Sequence, residues 1–139
     1  MNTELVPIKL DKITQTRSYS MLVLKAKNAS RFAIYADPQV GRVIQMYLTG
    51  ALKERPLTHD LISNLFKGLD VKFKQVVIND MKDTIYFAKL FVEQQIGEIT
   101  KIIEIDARPS DCLAFALLNN VPLYCTSSLL SKTVPITED

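Results

Sequence analysis

Asp106-Ala107-Arg108-Pro109-Ser110-Asp111-Cys112-Leu113-Ala114-Phe115-Ala116-Leu117-Leu118 is the stretch that decides the fold. It leaves a strand-like segment, Glu98 to Asp106, turns at Arg108-Pro109 and starts a helix at Ser110. Cys112 to Leu118 are seven apolar residues in a row. A helix that is apolar all round has no face to offer water, so it is buried, within the domain or against another subunit. The remaining elements must therefore wrap around it.

Working outward, Thr84 to Glu93 reads as a strand with Tyr86, Ala88, Leu90 and Val92 on one face. Ile85, Phe87 and Phe91 make the other face mostly apolar, which predicts a central strand covered on both sides. Val71 to Asn79 precedes it, and Asn79 to Asp83 reads as the hairpin turn. Upstream, Leu5 to Ile13 (broken near Pro7), Tyr19 to Lys27 and Arg31 to Ala36 are three further strands. Asp37-Pro38 starts a helix, with Asp as N-cap and Pro in the first turn. Its stripe is Val40, Val43, Ile44, Tyr47, Leu48 and Leu52. A second helix begins near Thr58, with the stripe Leu61, Ile62, Leu65, Phe66 and Leu69 and with Gly68 near its end. Val121 to Thr126 is the last strand and Ser127 to Lys132 a last helical turn. The order is roughly βββααβββαβ, which predicts an α+β domain over residues 1–139. Its mixed or antiparallel sheet packs with three main helices.

Composition bounds the function. The chain has 139 residues, 47% hydrophobic and 23% charged, enough for a real core. No apolar run approaches the roughly 18 to 20 residues that span a bilayer, and the opening MNTELVPIKLDK has no signal-peptide core. The expectation is a cytosolic protein without membrane partners. Cys112 and Cys125 sit in apolar surroundings and read as small buried hydrophobes. The net charge of +2 shows no overall basic bias, so any nucleic-acid contact has to be local. Lys25, Lys27, Lys72 and Lys74 alternate along strands and make either a phosphate-binding stripe or a solvated face. Tyr19, Tyr35, Tyr47, Tyr86 and Tyr124 are scattered along the chain, with no clustered stacking platform.

Two segments of similar design carry the chemistry. Arg55-Pro56-Leu57-Thr58-His59-Asp60-Leu61 and Asp106 to Cys112 each place Arg-Pro before a hydroxyl residue, then an Asp in a helix's first turn. Thr58 and Ser110 fit as N-caps. Free N–H groups at a helix start, beside Arg55 or Arg108, make a cradle for phosphate. Asp60 and Asp111 also have a purely structural role there, because a carboxylate in the first turn stabilises the helix dipole. His59, the only histidine, is a candidate general acid or base. Glu104 and Asp106 share one strand face and, with Asp111, form the candidate set for a divalent metal such as Mg²⁺. Each of these residues equally suits solvent-facing polarity at an element end.

RPLTHDL at Arg55 to Leu61 and DARPSDCLAFAL at Asp106 to Leu117 resemble the paired signatures of the bifunctional nuclease family, RPxTHDL and DARPSDAIALAL. IYFAKL at Ile85 to Leu90 and Val121-Pro122-Leu123-Tyr124 extend the resemblance over nearly the whole chain. It implies an α+β fold that tends to self-associate, and cleavage of both DNA and RNA. Carried over by motif are Arg55, Thr58, His59 and Asp60, then Asp106, Arg108, Ser110 and Asp111. The chain departs from the family pattern at Val40-Gly41, where Glu-Ala is common, at Leu118 in place of a basic residue, and at Ser127-Ser128 in place of acidic ones. No UvrB/UvrC-like helical segment is expected at its C-terminus.

The resemblance thus predicts hydrolysis of phosphodiester bonds with little sequence preference. Arg55 and Arg108 would hold phosphate. Asp106 and Asp111 would hold a metal or orient water, and His59 would move the proton. The alternative is a non-enzymatic oligomeric binding or regulatory module, with a phosphorylated small molecule as one ligand class.

Overall fold

The computed structural model describes residues 4–136. The element order is β1 (Leu5–Gln15), β2 (Ser20–Ala26), β3 (Arg31–Ala36), α1 (Pro38–Thr49), α2 (Thr58–Gly68), β4 (Val71–Lys82), β5 (Ile85–Ile96), β6 (Ile99–Ala107), α3 (Pro109–Asn119), β7 (Leu123–Thr126) and α4 (Ser127–Lys132). The α+β class and the expected order hold. The seven strands form one mixed sheet in the order β3-β2-β1-β7-β4-β5-β6. Short β7 joins the two antiparallel halves, antiparallel to β1 and parallel to β4.

The sheet curls around α3. In a flat sheet, five strand spacings would separate β3 from β5 by about 24 Å. Instead Phe32 of β3 stacks on Tyr86 of β5 with ring centroids 5.9 Å apart. The curl gives α3 an enclosed seat, and Cys112, Leu113, Ala114, Phe115 and Ala116 are all buried. They form one cluster with Leu22, Leu24, Phe32, Ile34, Val76, Ile78 and Leu90 from the inner sheet face. The apolar run Cys112 to Leu118 therefore finds sheet on one side and α1 and α2 on the other. The helix ends at Asn120, which takes the left-handed conformation (φ 53°) that asparagine tolerates. Among the described residues no helix is long and apolar enough to cross a membrane.

Helix α1 lies close against β2. The buried Ser20 Oγ sits 2.9 Å from Gln15 Oε1 and 3.2 Å from the Asp37 carbonyl, while Gln15 Nε2 donates to the Pro38 carbonyl at 3.0 Å. A side chain at Gly41 would overlap Ser20 Cβ and Oγ, so only glycine permits this approach.

Several boundaries differ from the sequence reading. β1 is unbroken at Pro7, because Pro7 stands where the strand passes from pairing with β7 to pairing with β2, and the register shift falls between Leu10 and Lys12. β4 runs through Asn79 to Lys82, so the turn is at Asp83 (φ 57°) and Thr84. β5 is not covered on both faces. Its inner face is buried, but Ile85 and Phe87 are exposed because no element packs over them. The α2 stripe splits likewise: Ile62 and Phe66 pack on the core, whereas Leu61, Leu65 and Leu69 are more than half exposed.

Candidate functional site

The two Arg-Pro turns meet through a single pair of side chains. In the second turn Arg108 precedes Pro109 and is held extended (φ −67°, ψ 143°), as the proline ring demands of the residue before it. That makes Arg108, not Ser110, the N-cap of α3, with Pro109 first in the helix and Ser110 buried behind it. Asp111 then falls in the first turn. Its Oδ2 accepts from Arg108 Nε at 2.8 Å, and its Oδ1 lies 2.9 Å from His59 Nε2 on α2.

The first turn uses its aspartate differently. Leu57 is the N-cap of α2 and Thr58 is exposed, with no side-chain capping bond. Asp60 Oδ2 accepts the Leu57 backbone N–H at 2.7 Å, and Oδ1 accepts from Lys53 Nζ at 2.8 Å. Asp60 thus closes its own helix end and anchors the preceding loop, while Asp111 reaches across to another helix. Lys53 also sits 4.8 Å from the centroid of the Tyr47 ring.

The electrostatics follow from these contacts. The His59 hydrogen bond pulls the Asp111 carboxyl down to about 2, outweighing the opposite effect of burial, and Arg108 adds to it. At neutral pH Asp111 is therefore an acceptor only, so His59 Nε2 carries the proton that faces it. The imidazole is 13% exposed and lies edge-on to Phe115 (centroids 4.9 Å) and Tyr47 (6.5 Å). Asp111 raises the basicity of the Arg108 guanidinium further, and that group stays 66% exposed. Burial alone would raise the Asp60 carboxyl, but Lys53 and the Leu57 N–H together bring it below the usual range. Burial, then the nearby Asp60 charge, push the Tyr47 hydroxyl up to about 12. This hydroxyl is buried close to Asp60 without a hydrogen bond of good geometry.

Other expected residues stand apart. Glu104 and Asp106 do share one face of β6, but it is the exposed one, and Asp106 pairs with Lys89 at 3.6 Å. Among the described residues no three His, Cys, Asp or Glu side chains gather to hold a metal ion, so the set Glu104, Asp106 and Asp111 is not assembled within one chain. Arg55 lines a small cleft of about 280 Å³ with Lys53, Glu54 and Asn64, and Arg108 is not among the residues of that cleft. The lysines form no continuous stripe, because β1 and β7 separate Lys25 on β2 from Lys72 and Lys74 on β4, and Lys74 is 3.9 Å from Glu93.

Conversely, three tyrosines that look scattered in sequence come together. Tyr19 and Tyr35 meet edge to face at 5.5 Å, and both line one cleft with Tyr86 and Arg108. The β2–β3 register pairs Met21 with Tyr35, which makes Tyr19 and Tyr35 diagonal neighbours. That register was the available signal. The approach of Tyr86 required the sheet's curl.

The sequence profile of the bifunctional nuclease domain matches residues 22–137. The chain belongs to the bifunctional nuclease domain family. Both Arg-Pro turns and the His59–Asp111 pair lie inside the matched span. Among its relatives are two proteins of Mycobacterium tuberculosis, from strain CDC 1551 / Oshkosh and strain ATCC 25618 / H37Rv, both described as uncharacterized. Each is 30% identical over 122 residues, which cover 87% of this chain and 70% of the relative. The family membership rests on a span that holds nearly the whole inner core.

Proposed function

We propose that this bifunctional nuclease domain is a cytosolic hydrolase of phosphodiester bonds in DNA and RNA, with little sequence preference. The observation that carries this reading is the chain of contacts Arg108–Asp111–His59, which joins two helix starts into one charged constellation. His59 Nδ1 takes a proton from an attacking water as its oxygen bonds to phosphorus. The phosphorus–oxygen bond to the leaving group then breaks, and the imidazolium returns the proton to that oxygen. Asp111 fixes the imidazole's tautomer and orientation and stabilises its charged form, as a buried carboxylate beside a histidine does. The exposed Arg108 guanidinium neutralises charge on the phosphate oxygens. The described side chains do not assemble a three-ligand metal site, so no step here runs through a metal ion. Arg55, in the loop before α2, is a further phosphate contact, and Asp60 positions the start of α2 through the Leu57 N–H.

The test is cleavage of end-labelled DNA and RNA oligonucleotides by purified wild type, His59→Gln and Asp111→Asn, each checked for its melting temperature. The expected loss is about 100-fold or more in the histidine variant. Equal cleavage by all three proteins would sink the assignment.

We also propose that the protein self-associates. Leu61 and Leu65 on the outer face of α2, and Leu69 at its C-cap, lie at a four-residue spacing and form an apolar face with no partner among the described residues.

A further inference from the structure

The cleft beside the His59–Asp111–Arg108 constellation is built unlike a phosphate site. It has a volume of about 460 Å³, within the range of small-ligand sites, and opens between the edge strand β3 and the β4–β5 turn. Its floor is Tyr86, half-buried against Phe32. Its rim carries Tyr19 and Tyr35, 42% and 64% exposed. Ile85 and Pro109 add apolar wall. The charged groups among its lining residues are Asp37 and Arg108, so it is electrically balanced. Tyr35 and Tyr86 line the same cleft, and burial, then the neighbouring Tyr35, raise the pKa of the Tyr86 hydroxyl. Arg108 belongs both to this cleft and to the constellation, because its Nε holds Asp111 while most of its guanidinium stays open.

We infer that this cleft receives an unpaired base of a single-stranded nucleic acid, stacked on the rim tyrosines, with Arg108 on the adjoining phosphate. The inference rests on the nuclease reading above and names its substrate form. Flat aromatic rings beside one cation suit a heterocycle joined to a phosphate, since every base has a π-face to stack. A duplex does not fit the same features. Its bases are stacked inside and cannot enter a cleft without being flipped out. Its dense phosphate charge calls for several cations, whereas this cleft has one beside the carboxylate of Asp37.

The experiment is fluorescence anisotropy with a labelled eight-residue oligothymidine in EDTA, so that binding is read without turnover. Wild type, Tyr35→Ala and Tyr35→Trp are compared, with duplex DNA and thymidine monophosphate as competitors. Tyr35 is mostly exposed, so its replacement spares the core, and elution volume and melting temperature confirm this. The expected result is about 5- to 100-fold weaker binding by Tyr35→Ala, near-normal binding by Tyr35→Trp, and better competition by unlabelled single strand than by duplex. Unchanged binding by Tyr35→Ala overturns the subsite alone, while cleavage by wild type still supports the nuclease. Tyr35-dependent binding without cleavage retains the subsite and sinks the nuclease. Absence of binding by wild type overturns the subsite, and the cleavage assay decides the nuclease separately. Competition by the mononucleotide as strong as by the strand overturns the assignment to a polymer. A changed elution volume for Tyr35→Ala would mean that this edge mediates contact between copies, and would overturn the subsite too.

Discussion

Replacing Asp111 by asparagine tests the centre of the site through stability alone. The Asp111 carboxyl titrates at about 2 instead of the reference 3.8. At about 1.4 kcal/mol for each pH unit, the folded state gains at most roughly 2.5 kcal/mol from its ionised form. The side chain is 24% exposed, so solvent screening reduces this to about 1–2 kcal/mol. The carbonyl oxygen of the new amide can still accept from His59, but its NH₂ group then faces the Arg108 Nε–H donor to donor. For a chain of this size the substitution should lower the melting temperature by about 3–8 °C at pH 7. The pH dependence has a definite sign. A depressed carboxyl pKa stabilises the fold above the unfolded-state value, and that contribution fades as pH falls toward the folded-state value. The gap between wild type and Asp111→Asn should therefore shrink between about pH 4 and pH 2. Urea melts of both proteins across that range measure it. A gap of the same size at about pH 2.5 and pH 7, or none at pH 7, would refute the role given to the His59 and Arg108 contacts.

Gly41→Ala should cost about 1–3 kcal/mol, because its methyl overlaps Ser20, and Ser20→Gly in the same chain should recover part of the loss in thermal melts. Burial raises the thiols of Cys112 and Cys125 to about 12 and about 11, so neither should react with a thiol reagent at pH 8 until denaturant is added. Leu61→Glu with Leu65→Glu should leave the melting temperature of the protomer within about 1–2 °C and shift sizing chromatography toward a smaller species; an unchanged elution volume would remove α2 as the contact face.

Much of the site was readable because it is local. Arg108, Pro109 and Asp111 are fixed relative to one another by one turn of backbone, so the proline's demand on Arg108 and the position of Asp111 within a helix's first turn follow from neighbouring residues. The same holds for Asp60, whose bond to the Leu57 N–H spans three positions. Assigning a task to each aspartate was not a local matter. Both are third in their helices, yet one serves its own backbone and the other a histidine 52 positions away, because α2 and α3 pack side by side. Likewise Glu104 and Asp106 share a face as strand periodicity requires, but which face looks outward was set by the packing of the core against the other one.

By itself the sequence determined what depends on short-range stereochemistry and on solubility: the α+β order of elements, the buried character of Cys112 to Leu118, the two proline-led helix starts and the family. The tertiary structure decided what depends on closure. The curl of seven strands around α3 brings Tyr86 to the edge that carries Tyr19 and Tyr35, and the packing of α2 on α3 joins His59 to Asp111. Side-chain periodicity tells which residues share a face of one element. Only the path of the whole backbone tells which faces meet.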